Sequence, residues 1–203
     1  MACPPLPARD QQLVQIVNAA LADSARRSGP WLACRPGCCQ CCVGVFAINQ
    51  LDVLRLQQGL HDLEAREPVR AARIRRRAQD AVARLTPEFP GDPVTGLISE
   101  APEMKQRWND FAPDEPCPVL DPATGTCELY ESRPILCRTF GPPVRDEGDL
   151  GVCELCYEGV GDEQIAACEM HPDPEDLQSA LVKEAEAATG TRGETIIAFA
   201  LGK

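Results

Sequence analysis

Residues 34–42 read CRPGCCQCC, five cysteines in nine positions. Thiols two or three residues apart lie on one chain turn and can reach one metal ion together. Adjacent cysteines seldom bond to each other, because a disulfide needs a set separation and dihedral. The run, Cys34-x3-Cys38-x2-Cys41-Cys42 with Cys39 as an extra, either pairs with distant cysteines or is a set of metal ligands whose partners lie elsewhere. Downstream, CPVLDPATGTCELYESRPILCRTFG places Cys117, Cys127 and Cys137 at equal spacing. Thiolate donors favour zinc, or iron in an iron–sulfur cluster.

A third constellation, CELCYEGVGDEQIAACEMH, gives Cys153-x2-Cys156-x11-Cys168-x2-His171. Two close pairs with such a linker have the form of a closed structural zinc site, three thiolates and one imidazole. In the alternative, Cys153 or Cys156 completes the main cluster, Cys168 is a buried small hydrophobe and His171 is an ordinary residue. Tyr130, Glu131, Arg133 and Arg138 accompany the second module. An arginine beside thiolates lowers their pKa and donates hydrogen bonds to sulfur; the plainer reading of YESRP is a turn.

The two-part arrangement resembles the YkgJ-type cysteine-cluster family, described as a zinc- or iron-chelating domain. The matching pieces are CRPGCCQCC and, downstream, C-P-x-L followed by C-x-L-Y-E-x-R-P-x-x-C-R, over roughly residues 34 to 141. The resemblance implies metal chelation by Cys34, Cys38, Cys41, Cys42, Cys117, Cys127 and Cys137, and no known reaction. Cys34-x3-Cys38-x2-Cys41 also has the spacing of the radical SAM cysteine run. Gln40 stands where those enzymes usually carry an aromatic, and no strand–helix alternation follows to build their barrel.

The rest of the chain is consistent with a metal-bound centre. The chain has 203 residues, 4% aromatic, so packing alone gives a modest core, and twelve cysteines point to a supplement. The start, MACPPLPARDQQ, does not read as a signal peptide, and no stretch approaches the ~20 apolar residues of a membrane span. A cytoplasmic chain keeps its thiols reduced, which favours metal binding over disulfides. The net charge of −11 would repel a phosphate backbone, so neither a nucleic-acid nor a membrane partner is expected. The one basic stretch, Arg66 to Arg84, reads as a solvated helix face.

Periodicity predicts a helix over 10–27 ended by Gly29-Pro30, then a short strand in VGVFAI (43–48). Asn49 is the expected N-cap of a helix over 50–58 closed by Gly59. An Ala/Arg-rich helix is expected from Pro68 to Leu85, a loop over 86–96 and a short helix over 103–111. Residues 112–171 show no sustained periodicity, a helix returns over 173–189, and the tail ETIIAFALGK is too short to assign. The expected fold is a single mainly α domain over 1–203, with helices around an irregular cysteine-rich, metal-organised core at about 34–171. No nucleophile elbow, phosphate loop or dinucleotide fingerprint is present. The leading expectation is a zinc or iron (iron–sulfur) chelator. The alternatives are an iron–sulfur redox or protein-modification enzyme and a structural zinc interaction module.

Overall fold

The structure, a computed structural model, describes residues 4–146 and 148–203. It is mainly α, with eight α-helices among those residues. They are α1 (Asp10–Ser28), α2 (Gln50–Arg66), α3 (Pro68–Leu85), α4 (Pro102–Asn109), α5 (Ile135–Thr139), α6 (Asp162–Ala167), α7 (Leu177–Thr189) and α8 (Ile197–Gly202). The strands form three small antiparallel hairpins: β1 (Gly91–Asp92) with β2 (Leu97–Ile98), β3 (Leu120–Asp121) with β4 (Thr126–Cys127), and β5 (Val144–Asp146) with β6 (Asp149–Gly151). None of the described helices is long and apolar enough to cross a membrane.

Helix α2 is the centre. Asn49 caps it by accepting the Asp52 amide at 3.1 Å, satisfying a donor that the first turn leaves open. One face packs Leu56 and Leu60 against Ile74 and Ala78 of α3 and Ile197 and Leu201 of α8. The other packs Leu51 and Leu54 against Leu13 and Val17 of α1 and Leu181 of α7. The tail, unassigned from sequence, is core: Thr195 pairs with Ile48, and α8 lies so close to α3 that a Cβ on Gly202 would stand 3.0 Å from the Ala78 carbonyl.

Several expectations are corrected. Gly59 does not close α2, which runs on to Arg66. A Cβ there would meet Ser132 Oγ at 2.2 Å, so the glycine permits close approach of the 3-10 turn Tyr130–Ser132. Residues 43–48 form no ladder; Val43 bridges Pro116 and Ile48 bridges Thr195. The segment 86–96 carries β1 as well as loop. The 112–171 stretch contains α5, α6 and two hairpins, elements too short to show a period. The final long helix starts at Leu177 rather than 173, because the Asp173 carboxylate accepts the Leu177 and Gln178 amides at 3.0 and 2.7 Å.

The basic face of α3 is less solvated than expected. Arg70 and Arg77 both pair with the buried Glu128 carboxylate, Arg77 Nε donates to the Pro118 carbonyl at 2.8 Å, and Arg84 pairs with Glu115 at 2.6 Å. These contacts hold residues 115–128, the segment that carries Cys117 and Cys127.

Candidate metal centre

Three segments bring five thiols together. Cys41 and Cys42 lie on a 3-10 turn, Gln40–Cys42. The Cys117 amide donates to the Cys42 carbonyl at 2.8 Å, and Val43 bridges Pro116, so the two modules meet through backbone. Cys127 is in β4, paired with Leu120 across the hairpin. Cys137 is carried by α5, whose first amide, Ile135 N–H, donates to Asp52 of α2 at 3.0 Å.

The electrostatics of the five are mutual. Cys41 and Cys42 share a hydrogen bond that pulls Cys41 down to about 6 and pushes Cys42 up; Cys117 and Cys127 raise Cys42 further. Burial pushes Cys117 up to about 12, opposed by the backbone of Val119 and Leu120; the Leu120 amide donates to the Cys117 carbonyl at 3.0 Å. Burial also raises Cys127, opposed by the Leu129 amide and by Arg133. Cys137 is raised by burial, then by Cys117 and Cys127. Backbone dipoles and cations near sulfur favour the anionic form, the form that binds metal.

Arg133 adds a cation here. Its charge lowers both Cys41 and Cys127, its guanidinium carbon lies 3.9 Å from the Tyr130 ring centroid, and its buried Nε has no hydrogen-bond partner among the described residues. Arg138 has different work. Fully buried, it donates to the Arg133 and Glu131 carbonyls and to Asn18 Oδ1, fixing the turn to α1.

Cys34 and Cys38 fall elsewhere. Cys34 is pushed up to about 12 by desolvation at its sulfur, then by Cys156, Cys38 and Cys153. Cys153 is raised by burial, opposed by the Leu155 amide, then by Cys156 and Cys38. Cys153, Cys156 and Cys168 pack in their own apolar cluster with Leu32, Ala33 and Tyr157, whereas Cys117 and Cys127 pack against the α2–α3–α8 core. Cys168 is 2% exposed and packs with Tyr157, whose hydroxyl hydrogen-bonds with Ser28. The His171 side chain is 71% exposed, with Nδ1 3.9 Å from Glu169 Oε1. Among the described residues, no group of three or more Cys, His, Asp or Glu side chains is set to hold a metal ion as it stands. The thiols are hydrogen-bonded and electrostatically coupled, and the donor chemistry fits a thiophilic metal.

The pairing of Cys34 and Cys38 with Cys153 and Cys156 is not readable from spacing. The nearest sequence signal is that two C-x2,3-C pairs, each one half-site, bracket the second module.

The family model named for the CxxCxxCC pattern, with the description "Putative zinc- or iron-chelating domain", matches residues 33–157. The chain belongs to this family. The match extends past Cys137 to take in Cys153 and Cys156 as well. In this chain the first gap, between Cys34 and Cys38, is one residue longer than in the pattern that names the family. No curated protein and no solved structure gives a significant match.

Proposed function

We propose that the chain chelates zinc or iron through Cys41, Cys42, Cys117, Cys127 and Cys137. The supporting observation is that the two cysteine modules meet through backbone, the Cys117 amide donating to the Cys42 carbonyl at 2.8 Å and Cys127 pairing with Leu120 in the adjoining hairpin, with the thiols near enough to act on one another. Neutral thiols are weak acceptors. A neighbouring arginine suits thiolates, and neighbouring thiolates repel unless a cation lies between them.

Four of the five thiols would hold a tetrahedral ion or a cluster, and the adjacent Cys41–Cys42 pair supplies the surplus donor. Arg133 would donate its unpartnered Nε–H toward the thiolates and offset their charge. Asp52 acts on α5 through the Ile135 amide, and α3 acts on residues 115–128 through Glu115, Glu128 and the Pro118 carbonyl.

Replacing Cys117 and Cys127 together by Ser tests the reading. Metal content after anaerobic purification should fall by the share this cluster holds. Unchanged content would reject it. The visible spectrum of the same sample separates the metals, since an iron–sulfur cluster absorbs in the visible and zinc does not.

A further inference from the structure

Cys34 and Cys38 open the N-terminal run, yet the thiols around them come from a pair more than a hundred positions later. We propose that Cys34, Cys38, Cys153 and Cys156 form a second metal site, a closed four-thiolate zinc site separate from the five-thiol cluster. It uses the same donor chemistry as the reading above and none of its residues.

Five observations support it. First, the two pairs lie side by side: Cys153 and Cys156 pack in one cluster with Leu32 and Ala33, the residues directly before Cys34. Second, the backbone is wound to present them. Cys38 N–H donates to the Arg35 carbonyl at 2.9 Å and Cys156 N–H to the Cys153 carbonyl at 2.8 Å, so each pair straddles one tight turn. Third, an amide points at sulfur: Ala33 N–H donates to Cys156 Sγ at 3.4 Å.

Fourth, the surroundings are shaped to these sulfurs. A Cβ on Gly141, at φ +108°, would lie 2.4 Å from Cys34 Sγ, so the chain passes that sulfur only as glycine. Tyr157, directly after Cys156, holds φ +61°, a conformation that L side chains rarely adopt and that marks functional turns. Fifth, the two halves are already cross-linked: Gln40 Nε2 donates to Glu154 Oε1 at 2.6 Å and Tyr157 N–H to the Trp31 carbonyl at 2.9 Å.

Four thiolates complete a tetrahedron and leave no position for substrate, so the site is structural. It would clip the segment following α1 to the segment following β6, across the whole second module. Cys168, buried behind Cys156, is a wall of the site rather than a donor.

Thiol footprinting on the full chain tests this without mutation. The protein is loaded with zinc, pulsed with an alkylating reagent with and without chelator, and each cysteine is quantified by mass spectrometry. Cys34, Cys38, Cys153 and Cys156 should be protected by zinc and should lose protection together. If Cys153 and Cys156 react equally with and without zinc, or if Cys34 and Cys38 follow Cys117 instead, the proposal is overturned. Failure of the five-thiol reading looks different: Cys117, Cys127 and Cys137 would react regardless of zinc while the quartet stayed protected. As a second readout, Cys153→Ser with Cys156→Ser should lose about one equivalent of zinc and keep the metal held by the five-thiol cluster; unchanged zinc content contradicts the site.

Discussion

The Asp52 carboxylate of α2 accepts the Ile135 amide at 3.0 Å, and so fixes the first turn of the helix that carries Cys137. Asp52 is itself buried and paired with Arg55, which also donates to Asp10 at 2.7 Å. Removing Asp52 leaves the Ile135 amide without its acceptor, while Arg55 keeps Asp10 as a partner. Asp52→Ala should therefore destabilise the fold by about 1–3 kcal/mol, read by denaturant unfolding. An effect under about 1 kcal/mol would show that the network does not anchor α5.

Arg133 should act on metal affinity more than on folding. Arg133→Met removes both the charge and the unpartnered Nε–H, and partners of ligands typically contribute 10–100-fold in affinity. Chelator competition should show roughly that loss, with Arg133→Lys partly restoring it through charge alone. Equal affinities for all three proteins would remove Arg133 from the site.

Gly59 and Ser132 give a packing test. Gly59→Ala forces a methyl group into Ser132 and should cost about 1–3 kcal/mol. Adding Ser132→Gly should recover most of it. Independent, additive effects in the double-mutant cycle would mean that the close approach is not the reason for the glycine.

Asp121 supplies a pH dependence near the cluster. The Ala123 amide, then Thr124, hold its carboxyl below the usual value. A depressed folded pKa means that the contribution is present above the unfolded value, about 3.9, and is lost as pH falls through the folded one. The β3–β4 turn should accordingly loosen at acid pH in amide exchange, and Asp121→Asn should flatten that dependence. A turn whose protection ignores pH in both proteins would contradict this role.

The helices were largely legible. Leu13, Val17 and their neighbours mark α1 by period, Pro68 opens α3, and Asn49 caps α2 as its residue type suggests. Gly59 misled because local propensity was outweighed by a tertiary contact with Ser132, which no window around residue 59 contains. The α8 segment was too short for periodicity and is fixed by contacts with α3. At the site, the cysteines were visible but their partition was not. Spacing reports which thiols share a turn, whereas Cys34 meets Cys156 only because the chain after α1 and the chain after β6 lie side by side.

Metal chelation by the five-thiol cluster is tested most directly by X-ray absorption at the metal edge, on full-length protein purified without oxygen, comparing wild type with Cys153→Ser/Cys156→Ser. The variant confines the signal to Cys41, Cys42, Cys117, Cys127 and Cys137. The account predicts metal still bound in the variant, with a first shell of sulfur at about 2.3 Å. A variant without metal, or with a shell of nitrogen and oxygen, would contradict it.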